Sequence, residues 1–198
     1  MKYVNQLDHP EILYPTNTDL PDEQRGERWK YTTFASSACG LACAIMVADR
    51  LRVDPGFGIP EALALSYDCG GNHSVGTDYK VFAPAFAAKF NLRYEGTNDP
   101  ERLRHCLRTG GAAVLNSGGD RDGYVGVFTH GGHYITAIAE LEDGRICILD
   151  PSQKDGKYAE PGRVGKVEVD GHLLYTDMQV LVDDCSNRDP GFHLFWRK

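Results

Sequence analysis

The chain has 198 residues, 41% of them apolar and 25% charged, with a net charge of −7. That length buries one sizeable core and is read as a single domain over 1–198, with 1–30 as an N-terminal arm and loop. The acidic balance, with no basic run to neutralise phosphates, speaks against a nucleic-acid partner. No stretch is long and apolar enough to suggest a membrane span.

In chain order, "MKYVNQLDHPEILYP" lacks the basic-then-apolar layout of a secretory signal, so a cytoplasmic location is expected unless a signal has been removed. The stretch "YPTNTDLPDEQRGER" (14–28) is rich in turn formers and is read as loop, with Trp29 and Tyr31 packing the arm. "SSACGLACAIMVADRL" then predicts a helix over 39–52, with Ser36 or Ser37 as cap and Pro55 as stop. Its apolar residues run round nearly the whole circumference, which predicts a central, buried helix. A short helix at "PEALALSY" follows, with Pro60 in its first turn. "DCGGNHSVGTDY" (68–79) is read as a connection between helices. "DYKVFAPAFAAKFNL" places Phe82, Phe86 and Phe90 on one helical face, with Pro84 costly if the helix starts early. "NDPERLRHCLRTGG" predicts a fourth helix, capped by Asp99 and ended by Gly110.

The pattern then changes to strands: 112–116, 133–140, 145–150, 163–169, 174–182 and 192–197. Asp143-Gly144 supplies a hairpin turn between the second and third. The glycine-rich stretch 116–132 reads as a groove-shaping loop entering His133. Helices first and antiparallel strands afterwards is α+β.

Six cysteines at irregular spacing, in a chain that is not a small secreted framework, are read as free thiols. Cys39 and Cys43 lie one helical turn apart, but Cys43 sits among Ala42, Ala44 and Ile45, as a core cysteine does, and no metal is assigned. His130 and His133 flank Gly131-Gly132 at the start of a strand, which suits a loop histidine beside a cleft better than two ligands on one face. Folding the hairpin brings His133 and Asp150, 17 positions apart, to one end of the ladder. A carboxylate there orients the imidazole for general-base work. Cys39 at a helix N-terminus is the third member, where the helix end favours its thiolate.

"ACGLACAIMVADRL" followed by "GGHYITAIAELEDGRICILDPS" resembles the C39-like cysteine peptidases, a branch of the papain-like superfamily. "YVNQLD", "VGTDYKVFAPAFAAKFNL" and "LRTGGAAVLN" extend the likeness over residues 3–155. The resemblance implies a papain-like fold, with N-terminal helices and a central nucleophile helix packed on a C-terminal antiparallel sheet. It also implies hydrolysis of peptide or amide bonds through a thioester. Cys39 is then the nucleophile, His133 the base and Asp150 the orienter; Gly131 and Gly132 line the substrate groove and no cofactor is needed. Two positions depart from the pattern: Leu41 stands where the family often has Pro, and Thr33 where it often has an oxyanion-hole glutamine. Gln6 of "YVNQLD" is assigned that role, with Thr33, Ser36 or Ser37 as alternatives. Two other functions fit the same residues: an acyltransferase using the same thioester, and a peptide-binding module that has lost turnover.

Overall fold

A computed structural model describes residues 1–198, the side chain of Arg28 excepted. A single 3₁₀ turn at Gln6–Asp8 leads to α1 (Asp22–Lys30), a four-residue α2 (Phe34–Ser37) and the central α3 (Cys39–Arg50). Then come α4 (Ile59–Cys69), α5 (Tyr79–Lys89), β1 (Leu92–Thr97), α6 (Pro100–Arg108), β2 (Ala112–Ser117), β3 (His133–Glu140) and β4 (Ile146–Leu149). A second 3₁₀ turn, Lys157–Ala159, precedes β5 (Glu168–Asp170), β6 (Leu173–Thr176), α7 (Met178–Cys185) and β7 (Phe192–Arg197). The seven strands form one antiparallel sheet in the order β1-β7-β2-β3-β4-β6-β5. The architecture is α+β.

Strand alternation gives the sheet two apolar faces. Ala112, Val114 and Leu149 join the core of α3, α4 and α5, while Ala113, Leu115 and Ile148 join a second core under α6 and α7. Helices therefore cover both faces rather than one. Gly40 through Ala48 of α3 are all buried, as an apolar circumference requires. A bulge in β3 between Ala137 and Ala139 turns the Ile138 carbonyl toward Arg50, whose Nε donates to it at 3.1 Å. That bond ties the C-terminal end of α3 to the sheet.

Several local expectations are corrected. The predicted loop at 14–28 contains the start of α1, opened by Asp22 and Glu23 after Pro21 and broken at Gly26, whose φ of 63° is not helical. The predicted serine cap of α3 is absent: 34–37 are themselves helical, Thr33 precedes them, and Ala38 separates the two helices. The predicted strand 174–182 splits after Thr176. Asp177 starts α7, and Met178, Leu181 and Cys185 bury at helical spacing. Of 163–169, only the end pairs as strand, because Gly162 and Gly165 take positive φ values of 84° and 79°. β1 went unpredicted, since its alternating "LRYEGT" is short and polar and pairs only along one side, with β7. α5 carries Pro84 inside it, leaving the Lys80 carbonyl without its helical donor. No helix among the described residues is long and apolar enough to cross a membrane.

Candidate active site

Cys39 is the first residue of α3 and is half-buried. The bond entering the helix there runs from Ala42 N to Ala38 O at 3.0 Å, and the Cys39 N–H finds no backbone acceptor. Its ordinary acceptor, four residues back, is the Ala35 carbonyl, and Gln6 Nε2 donates to that carbonyl at 2.6 Å. The Gln6 amide, expected from sequence to receive the oxyanion, is thus engaged at the end of α2. The Gln6 backbone N–H bonds Pro151 O at 2.7 Å, and its side chain does not line the cleft. Thr33 does not line it either: it caps α2, with its N–H on Ser36 Oγ at 2.9 Å. Ser36 and Ser37 do line the cleft, beside the unoccupied Cys39 N–H.

His133 opens β3 opposite Ser117 of β2. Extending the Thr136–Leu149 pairing sets Asp150 across from Ile135, two residues along on the same face, so the histidine meets it diagonally. His133 Nε2 lies 2.7 Å from Asp150 Oδ1. The Cys39 thiol and the same ring act on one another's ionisation, which leaves Nδ1 as the nitrogen free toward the sulfur. Sequence reasoning brought these three residues together; the structure puts Cys39 and His133 in one cleft and hydrogen-bonds His133 to Asp150.

The electrostatics follow from that geometry. Burial alone pushes the Cys39 thiol up. The hydrogen bond and charge of His133, with backbone N–H groups of Tyr134 and Gly40, outweigh it and hold the thiol below its ordinary value. Burial likewise disfavours the imidazolium, yet the Asp150 charge and hydrogen bond, aided by Cys39, raise His133 to about 9. Burial works against the Asp150 carboxylate too, but His133 and Lys157 hold it well below the usual carboxylate range. The arrangement favours a thiolate–imidazolium pair over a neutral thiol and imidazole.

Asp150 has no solvent exposure and is surrounded by donors the sequence did not reveal. Lys157 Nζ and Tyr158 Oη each reach Oδ2 at 2.5 Å, and Ser152 N reaches Oδ1 at 2.8 Å. Tyr3 Oη donates to the Asp150 carbonyl at 2.7 Å. The Ser152 bond is the Asx turn that an Asp-Pro-Ser sequence favours, so this aspartate starts a turn and orients the His133 ring at once. Lys157 and Tyr158 lie in a polar stretch without periodicity, and nothing in the sequence marks them as buried.

The triad opens on a cleft of about 690 Å³. One wall is the 75–77 connection, read from sequence as a simple link; here Val75, Gly76 and Thr77 form a rim. A Cβ on Gly40 would meet Thr77 Cβ at 2.9 Å and the Tyr79 ring at 3.0 Å, so only glycine lets the start of α3 lie flush against that rim. The cleft is also lined by Gly131 and Gly132, expected from sequence in the groove, together with Asn116, Tyr134 and Arg188. Trp29 and Tyr31, expected to pack the arm, line the cleft instead, and Tyr31 is 68% exposed. His130 points away, bonded to Asp120 at 2.9 Å and Glu160 at 3.0 Å. All six cysteines are free, and no cluster among the described residues has the donors to hold a metal ion. Comparison with known protein families and with curated proteins finds no match.

Proposed function

We propose that this chain is a cysteine peptidase or amidohydrolase with a papain-like, C39-like fold, cutting peptide or amide bonds through a thioester on Cys39. One observation carries the reading: a helix-terminal thiol and a histidine that line one open cleft and act on each other's ionisation, with the histidine Nε2 2.7 Å from a fully buried carboxylate behind it. The Cys39 thiolate attacks the carbonyl carbon, and the oxyanion is received by the Cys39 N–H with the hydroxyl of Ser37, since the Ser36 hydroxyl donates to Thr33 O. His133 gives its proton to the leaving amine. It then takes one from the water that hydrolyses the thioester, while Asp150 keeps the ring oriented. This chemistry calls for no metal or cofactor, and the cleft suits a peptide or protein segment.

A second reading, a binding module without turnover, draws support from the diversion of the Gln6 amide to Ala35. One experiment separates the two. Cys39 is to be alkylated by iodoacetamide at pH 7 alongside Cys69, which is half-buried with its thiol pushed up by burial. Alkylation at least tenfold faster at Cys39, lost in His133→Ala, supports an activated nucleophile; equal rates defeat it. Peptide hydrolysis with and without an added amine then distinguishes hydrolysis from acyl transfer.

A further inference from the structure

We infer that the cleft selects acyl donors bearing a carboxylate close to the scissile carbonyl, and that Arg188 is the group that reads it. The inference rests on the cysteine-hydrolase reading above and names its substrate class. In a chain of net charge −7, the described residues of the cleft lining include no aspartate or glutamate, and Arg188 is the only lysine or arginine among them. Its guanidinium lies against the backbone one residue before the base: a Cβ on Gly132 would be 3.0 Å from Arg188 Nη2. Glycine at 132 is thus what lets the cation sit beside His133.

The other arginines near acids are paired. Arg102, Arg104, Arg108, Arg145 and Arg163 each meet a carboxylate. The Arg188 guanidinium has neither ion pair nor hydrogen bond among the described residues, and its Nε is buried without a partner. The backbone beneath it is anchored, with Arg188 N on Cys185 O at 3.0 Å and Asn98 Nδ2 on Arg188 O at 3.2 Å. Asp78, the acid whose charge is felt at the neighbouring Tyr134, is held at the start of α5 by Lys80 N at 3.0 Å. An unpaired fork of N–H donors, on a fixed backbone, at the edge of a cleft free of acids, is complementary to a carboxylate accepting two parallel bonds.

The test compares iodoacetate with iodoacetamide on Cys39 in the full chain. In each, the thiolate forms an S–C bond as the C–I bond breaks and iodide leaves; the reagents differ in bearing a carboxylate or its neutral amide. Taking the ratio of the two rates cancels any change in thiolate fraction or in folding. The ratio is expected to fall about fivefold in Arg188→Gln, the size of a solvent-accessible ion pair, and to be largely kept in Arg188→Lys. A ratio unmoved by Arg188→Gln, with Cys39 still fast toward iodoacetamide, overturns the role of Arg188 and leaves the hydrolase reading intact. Slow iodoacetamide labelling of Cys39 in the wild type defeats the hydrolase reading itself.

A peptide pool read by mass spectrometry then identifies the source of the carboxylate. Cuts enriched beside Asp or Glu over Asn or Gln mean a side chain, and cuts near free C-termini but not amidated ones mean the terminus. Cuts indifferent to both overturn the inference.

Discussion

At the scale of single residues, the site depends on which donors stay free. Gln6 occupies the carbonyl that a continuous α2–α3 helix would give to Cys39, and so leaves the Cys39 N–H free. Gln6→Ala should lower stability by about 1 kcal/mol for one lost buried hydrogen bond. Its kcat should fall far less than the roughly 10²–10³ that follows loss of an oxyanion donor. A drop of that larger size with unchanged melting temperature would return Gln6 to the oxyanion hole. The ionisation of the pair sets the pH response. Cys39 alkylation should begin below the ordinary thiol range, and the ion pair should persist until His133 loses its proton near pH 9. His133, raised in the fold, stabilises fully below its unfolded value of about 6.5, and that stabilisation is lost as the pH rises through about 9. Cys39, lowered in the fold, acts in the opposite sense: its contribution is present above the unfolded thiol value and lost as the pH falls. Cys39→Ala isolates the imidazole, still raised by Asp150 but no longer by the thiol, so its melting temperature should fall as the pH rises above about 6.5 and level off below pH 9. The double variant with His133→Gln should lack that slope.

At the scale of elements, the long connection from β2 to β3 is fastened by one buried aspartate. Asp184 of α7 accepts from Val127 N at 2.7 Å, Phe128 N at 3.4 Å, Tyr124 Oη at 3.0 Å and the Ser117 hydroxyl. Asp184→Ala should cost about 3 kcal/mol, since it leaves several buried donors unpaired. Amide hydrogen exchange should speed at Val127 and Phe128, and turnover should fall as Gly131–His133 loosens. Exchange unchanged at those two amides would deny Asp184 this fastening role. The limits of sequence reading are clearest here. The β3–β4 hairpin and its Asp-Gly turn were legible because alternation and turn chemistry agree. The 174–182 stretch was not, because "LYTDMQVLV" alternates like a strand while Asp177 and the Met178–Leu181–Cys185 spacing serve a helix. Cys39, His133 and Asp150 were legible because each sits at an element's end with a local signature. Lys157 sits in a 3₁₀ turn and Arg188 in the connection from α7 to β7, where burial and pairing depend on distant chain.

At the scale of the molecule, the first segment braces the far side of the site. Lys2 N bonds Asp49 Oδ2 at 2.7 Å, Tyr3 Oη bonds Asp150 O at 2.7 Å, and Gln6 N bonds Pro151 O at 2.7 Å. Tyr3 also stacks on His172, with ring centroids 4.1 Å apart. The arm is thus a strap across the end of β4 rather than an appendage. Removing residues 1–9 should lower the melting temperature and cut the rate of Cys39 alkylation by about tenfold or more, because the turn holding Asp150 loses its support. A truncated chain that labels as fast as the full one would show that β4 and α3 suffice.

The snug fit of Gly40 beneath Thr77 and Tyr79 has one more outcome. It sets the first turn of α3 hard against one edge of the channel, so that even a methyl group at position 40 would have to displace the Thr77 side chain or the Tyr79 ring.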